Sequence, residues 1–396
     1  PNASGVHPPN GDGYVVSDAD ISAFSHVAGW NGTLSVDLSL RNATDPSNAL
    51  AYAAAVRQQL LAADIMNFEI GNEPELFTRN GIRQQPFTFT DWENQWEQYA
   101  SPLTANAGPH MVQGAVFCCG EWDRFIPGYV RNFTTSTRPF LQTISHHFYP
   151  MSGADATIAK LLEPHAVDLT GFKALASDCN AHGVPFVIGE GNSAYDGGKE
   201  GVSNAFVSAL WGVDLLFESA VNGIRRFNFH GGPHGAYTPI DMETNPPYAF
   251  ARPLFYAMWA FTDAVSNGAS VLHVDYDALN SEQMKMWATT HRTTHGLDTV
   301  TIVAIPKKLN GGGVDLVLNV SGVANAGANV TVRALKAPAI NSTSGVSFGG
   351  LTFDGSTTGY PQGVPEVEQH TVDQNGILRL FVHPLHVVVA DISMTR

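Results

Sequence analysis

From residue 33 to about 264 short apolar runs alternate with longer amphipathic stretches, the pattern of βα units around a parallel sheet. The runs predict strands at Thr33–Leu38, Ile65–Ile70, Met111–Cys118, Leu141–Phe148, Pro185–Gly189 and Ile224–Phe229. Several are largely apolar, as strands covered on both faces must be. Helices are predicted between and after them at Ala49–Ala63, Asp91–Ala105, Trp122–Phe133, Phe172–His182, Asn204–Val221 and Pro253–Val265. Thr90-Asp91-Trp92-Glu93 reads as a capping box opening the second helix. Pro1–Trp30, rich in Pro, Gly, Asn and Ser, shows no convincing strand.

Beyond Ser270 the texture changes to strand after strand: Val271–Tyr276, Met284–His291, Val300–Pro306, Val314–Val320, Ala328–Leu335, Val346–Phe353 and Ile377–Asp391. Asn310-Gly311-Gly312-Gly313 and Asn375-Gly376 supply turns, and the whole reads as a β-sandwich. The expected organisation is therefore α/β: a (β/α)8 TIM barrel over residues 1–269 and a C-terminal β-sandwich over 270–396. A closed barrel needs eight strands and only six are visible. The first two βα units are expected to come from a second, N-terminal polypeptide segment that completes the barrel.

The chemistry stands at two strand ends. Asn72-Glu73-Pro74 closes the run Ile65–Gly71, and Glu190 closes Val184–Gly189. A barrel gathers the carboxyl ends of its strands at one face, so two glutamates far apart in sequence can converge there. Such a pair is what retaining glycoside hydrolysis requires: one carboxyl protonates the leaving oxygen, the other attacks the anomeric carbon. Glu73 is the better acid/base candidate, because Pro74 turns the chain and Asn72 can bond the sugar 2-hydroxyl; Glu190 is then the nucleophile. Glu69 shares the alternation of Glu73 and is expected inside the barrel in a buried ion pair. His146 and His147 end the fourth run, and one of them should line the pocket; no third ligand at metal spacing appears, so neither metal nor cofactor is expected. His230 and His234 could contact substrate, though loop polarity explains them equally. Glu75, Glu121 and Glu200 read as solvated.

Composition narrows the partners. With 36 acidic against 21 basic side chains the formal charge is −15, which repels nucleic acid and anionic membranes. No apolar run is long enough to span a bilayer. Pro1 opens the sequence without a signal-peptide pattern, so any leader is expected to have been removed already. Sequons at Asn2, Asn31, Asn42, Asn132, Asn319, Asn329 and Asn341 point to a secreted, N-glycosylated protein. Cys118, Cys119 and Cys179 are too few for a disulfide framework. On a strand the first two would point to opposite faces, and buried free thiols are the expected state.

Phe68–Pro74, His146-His147-Phe148-Tyr149, Gly189–Tyr195 with Gly197-Gly198, and Asn228-Phe229-His230 leading to Tyr237 resemble glycoside hydrolase family 79, which contains heparanase and the microbial and fungal β-glucuronidases. The resemblance runs from about Ser17 to the carboxyl terminus. It implies a retaining β-glucuronidase whose acid/base follows barrel strand 4 and whose nucleophile follows strand 7. It makes Ile65–Ile70 the fourth strand, and heparanase's small subunit is a precedent for the missing units. It also implies a glucuronate pocket, in which Gly197 and Gly198 offer backbone N–H groups while Tyr195 and Tyr237 donate to the sugar carboxylate. Tyr149 should bond Glu190 or the sugar ring. The shortage of cations favours exo release of terminal β-linked glucuronic acid from a glycan. Heparanase-like endo cleavage of a glycosaminoglycan is the alternative, and a non-catalytic carbohydrate-binding protein the remaining one.

Overall fold

The computed structural model describes residues 16–28, 33–232, 235–244, 247–266, 268–275, 284–292, 298–308 and 312–394. The sequons at Asn2 and Asn31, His234, Tyr276 and the Asn310-Gly311 half of one turn lie outside them. The chain is mixed α/β and divides into two compact units.

The first unit takes the described residues up to Phe148, together with Phe172–Glu190 and Gly223–Arg226. Its centre is a curled sheet of strands β1 (Leu34–Leu38), β2 (Ile65–Ile70), β3 (Val112–Phe117), β4 (Leu141–Phe148) and β5 (Phe186–Gly191), adjacent in that order. β1 through β4 pair in parallel. Arg225 N–H and Arg226 C=O continue the ladder along Phe186 and Ile188 of β5. The register places Asp37 of β1 beside Glu69 of β2. Phe68, Ile70, Val112, Phe117, Ile144, Phe186 and Ile188 are buried, as a sheet covered on both faces demands.

The covering is aromatic. Helix Phe89–Ala107 buries Trp92, Trp96, Tyr99, Ala100 and Leu103, one helical stripe. Trp96 meets Tyr129 and Phe133 of helix Ile126–Phe133 at 5.1 and 5.0 Å between ring centroids. Helix Phe89–Ala107 has its capping box two residues before the predicted one. Thr88 is its N-cap, accepting from Asp91 N–H at 3.3 Å, while the Asp91 carboxylate accepts from Thr88 N–H at 2.8 Å. Within the turn-rich amino-terminal stretch, Asp18–Ala28 is helical. Ser17 and Asp20 bond reciprocally at its start, a capping signal that composition had masked.

β3 departs from regularity at Ala115 (φ 69°) and Val116 (φ 59°), where its register with β4 slips. A bulge of this kind turns the strand end and re-aims its carbonyls. The strand therefore stops at Phe117, and Cys118 and Cys119 lie beyond it. Strand alternation does not apply to them, and they form a disulfide with each other instead of remaining free thiols. Cys179 is the buried free cysteine, its thiol pushed up to about 12 by burial.

The second unit takes Tyr149–Gly171, Gly191–Asn222 and the chain from Phe227 onward. Helix Phe206–Val221 is buried almost throughout. Its Asp214 pairs with Lys307 at 2.6 Å and accepts from Trp287 Nε1 at 2.8 Å. An antiparallel sheet runs Ser270–Leu272, Met284–Arg292, Asp298–Pro306, His386–Ser393, Asn329–Lys336 and then three two-residue strands. A ribbon of Val314–Asn319 and Ile377–Val382 shares one apolar core with it, including Met286, Ile302, Val330, Leu378 and Ile392. Two predicted strands are each broken. Ile377–Asp391 becomes Ile377–Val382 and His386–Ser393, parted by a turn at Pro384, and its halves join different sheets. Val346–Phe353 folds back at Gly349-Gly350, leaving Ser347–Phe348 and Leu351–Thr352 as a tiny hairpin.

Candidate active site

β2 delivers Glu73 through a strained turn. Gly71 leaves the strand and Glu73 takes left-handed backbone (φ 48°, ψ 57°) ahead of the short 3-10 turn Pro74–Leu76. A residue with a Cβ is disfavoured there by about 1–3 kcal/mol, so neighbours must hold it. Its N–H donates to Val116 C=O at 3.0 Å, the carbonyl that the β3 bulge turns toward it. Glu75, two residues on, accepts from Cys118 N–H at 3.0 Å and Cys119 N–H at 3.4 Å. Glu75 is thus not a solvated side chain: it ties the disulfide loop to the Glu73 turn, and burial raises its carboxyl above the ordinary range.

His147 of β4 links the two glutamates. Its Nδ1 lies 2.8 Å from Glu73 Oε1 and 3.9 Å from Glu190 Oε1, and the imidazole is buried while the carboxylates are about a quarter exposed. One oxygen of each glutamate and a ring nitrogen of His147 all lie within 4.8 Å of one another. One divalent cation could be gripped by that trio, although cleavage by two carboxylates calls on none. His146 faces the other way, bonding Asp123 Oδ1 at 3.0 Å and His147 C=O at 2.7 Å. Asn72, beside Glu73, is exposed.

Below this trio Glu69 is buried, but its hydrogen-bond partners are the Gln113 amide and the Asp37 carboxyl rather than a cation. Burial, with the Asp37 charge adding, pushes it up to about 8. Asp37 was not singled out by the sequence, because pairing of β1 with β2 is what gives it meaning.

The second unit assembles most of the predicted sugar-binding residues. Tyr149 and Tyr237 both place their hydroxyls on His230 Nδ1, at 2.7 and 3.0 Å. Buried Asn192 locks that arrangement by donating to His230 C=O at 2.7 Å and Tyr237 C=O at 3.0 Å. Tyr195 is half exposed, bonded through its backbone to Met151 and Gly153, with its ring 6.4 Å from that of Tyr149. Gly197 and Gly198 both take left-handed φ (80° and 78°). At Gly198 no side chain fits, since a Cβ would stand 2.8 Å from Ser203 and 3.1 Å from Tyr237 Cβ. Lys199 is turned to the carbonyls of Ala156 and Ala154 at 2.8 and 3.3 Å. His230, left as loop polarity by the sequence, is the hub of this cluster. Glu200 is exposed and bonded to Asn204, and Glu121 is exposed.

Two carboxylates this close at strand ends are the arrangement that glycoside hydrolysis by a carboxylate pair calls on. Residues 99–217 match the family model "Glycosyl hydrolase family 79, N-terminal domain" and residues 259–389 the model "Glycosyl hydrolase family 79 C-terminal beta domain". The chain belongs to glycoside hydrolase family 79. It is similar to a β-glucuronidase of Aspergillus niger (25% identity over 237 residues, 52% of this chain and 42% of that protein). It also resembles a β-glucuronidase of Neurospora crassa (31% over 199 residues, 42% of this chain and 34% of that protein). The chain thus spans about two-fifths or less of the curated relatives it matches. Among solved structures, the 4-O-α-L-rhamnosyl-β-D-glucuronidase of Fusarium oxysporum superposes with a TM-score of 0.75 at 18% identity, covering 96% of this chain and 82% of its own. A β-xylosidase of Caulobacter crescentus gives 0.59 at 14% identity, over 97% and 86%. At such identities these two establish the fold alone.

Proposed function

We propose that the chain hydrolyses terminal β-linked glucuronic acid from a glycan by double displacement. The observation that carries this reading is the approach of Glu73 and Glu190 to within 4.8 Å at two strand ends. That spacing suits direct attack, whereas an inverting pair leaves about 6.5–9.5 Å for a water. Glu73 protonates the leaving oxygen, Glu190 forms the glycosyl-enzyme, and Glu73 then draws the proton from the incoming water. His147, bonded to Glu73, fixes the acid's orientation through both steps. Tyr149, Tyr195, Tyr237 and the N–H groups of Gly197 and Gly198 receive the sugar and its carboxylate, and Asn72 its 2-hydroxyl. The related β-glucuronidases support that substrate class.

The parallel sheet belongs, in this reading, to a (β/α)8 barrel within residues 1–269, completed by a further polypeptide segment, with a β-sandwich over 270–396. Secretion and glycosylation are part of the same proposal. The five sequons among the described residues, Asn42, Asn132, Asn319, Asn329 and Asn341, are all exposed, as acceptors must be. No helix among the described residues is long and apolar enough to cross a membrane. The excess of acidic side chains disfavours a polysulfated chain substrate.

Glu73→Gln and Glu190→Gln should each lower kcat on an unactivated β-glucuronide by about a hundredfold or more. Azide should restore Glu73→Ala on an activated aryl glucuronide. Either Gln variant turning over at the wild-type rate would remove that residue from its role.

A further inference from the structure

The first unit carries a second acidic pair that the proposed reaction does not use. Asp37 and Glu69 stand in register on β1 and β2 and their carboxyl groups hydrogen-bond. Two carboxylates are both acceptors, so such a bond needs a proton between them. Glu69 is 7% exposed and Asp37 is exposed. Burial disfavours charge, so Glu69 holds the proton and donates it to an ionised Asp37.

Glu69 also accepts from the Gln113 amide. Gln113 Oε1 in turn accepts from Thr143 Oγ1 at 2.8 Å and Arg226 Nη2 at 2.7 Å. From there the packing reaches the peptide just before Glu190. A Cβ on Gly189 would stand 3.4 Å from Gln113 Nε2 and 2.0 Å from Ser145 Oγ. The remaining charged and titratable groups facing the pair are Glu190 and His147 toward Asp37, Arg226 toward Glu69, and Tyr52 of helix Ser47–Gln59 toward Asp37. A proton on Glu69 therefore decides whether one negative charge or two stand behind Glu190.

We propose that Glu69 is a positioning residue that stays a neutral carboxylic acid at the working pH, braced between Asp37 and Gln113, and that its ionisation limits the binding of an anionic sugar in alkali. The step is a simple ionisation: the Glu69 O–H bond breaks, the electron pair stays on the carboxylate, and the proton passes to water. The second charge repels a glucuronate, so KM rises. The functional half rests on Glu73 and Glu190 being the reacting pair; the location of the proton does not.

Infrared spectra of the full chain, titrated from pH 6 to 10, read the proton directly. In Glu73→Gln, which removes the reacting acid's own proton, a carboxylic-acid carbonyl band should persist at pH 7 and disappear near pH 8, and this band should be absent when Glu69→Gln is added to that variant. With p-nitrophenyl β-glucuronide, KM should rise about fivefold from pH 7 to 9 in the wild type and stay level in Glu69→Gln. Should Glu69→Gln not fold, Asp37→Asn takes its place: with the neighbouring charge removed, both the band and the KM rise should move to lower pH. A band titrating near pH 8 that survives in the protein carrying both Glu73→Gln and Glu69→Gln, or a KM rise unchanged in Glu69→Gln, overturns the proposal. The band present while the wild-type chain shows no turnover supports the proton assignment and counts against the reaction instead.

Discussion

Glu73 stands on left-handed backbone, held by one hydrogen bond from its N–H to the Val116 carbonyl and by the Glu75 carboxylate on the disulfide loop, so its place depends on residues around it. Its place just past a strand end was legible in Asn72-Glu73-Pro74, because Pro74 forces the chain to turn there. The bulge that supports it was not legible, since Ala115 and Val116 read as ordinary strand residues. Tyr237 is a simpler case. If its hydroxyl binds the sugar carboxylate, Tyr237→Phe should raise KM for a β-glucuronide by about tenfold or more with a smaller change in kcat, from the loss of one charge-assisted hydrogen bond. Steady-state kinetics check this, and an unchanged KM would place the hydroxyl outside the pocket. Glu69 yields a pH prediction of definite sign. Its folded value, about 8, lies above its ordinary value of 4.5. Between those limits the native state binds a proton that the unfolded chain does not, so stability is greatest below the ordinary value and falls as pH rises through that window. The slope is about 1.4 kcal/mol per pH unit. Urea unfolding at pH 5, 6, 7 and 8 should show wild type losing stability relative to Glu69→Gln across this range; parallel curves would refute it.

At the scale of elements, the strands that place the site were the easiest to read. Ile65–Ile70 and Leu141–Phe148 matched to the residue, because an apolar residue stands at each end of both runs. Helix Phe89–Ala107 was recognisable from its stripe, though its start was misplaced by two residues, since Thr88 and Thr90 offer similar caps. What failed were long apolar runs that hide a reversal, as at Gly349-Gly350 and Pro384, and the amino-terminal helix, whose short polar side chains resemble a loop. Trp96 packs against Tyr129, Phe133 and Phe140 and is fully buried. Trp96→Ala should therefore destabilise the protein by about 3–5 kcal/mol, measured by denaturant unfolding. A loss below about 1 kcal/mol would mean that this aromatic layer does not pack as described.

At the scale of the whole molecule, the alternation of βα units followed by consecutive strands was visible in the hydrophobic pattern, whereas partnerships between distant segments were not. Asp37 with Glu69, His147 with Glu73 and Glu190, and Tyr149 with Tyr237 through His230 are all pairings that only the folded chain creates. The disulfide escaped for a related reason, because it depends on β3 ending one residue before Cys118. The reaction assigned to the chain stands on one such partnership, the meeting of Glu73 and Glu190. It is tested most directly by incubating the protein with a glucuronic-acid-configured cyclophellitol and mapping the adduct by peptide mass spectrometry. A single covalent sugar on the peptide containing Glu190, blocked by Glu190→Gln, is the predicted result. An adduct on another residue, or turnover of β-glucuronides by protein that the reagent never labels, would contradict it.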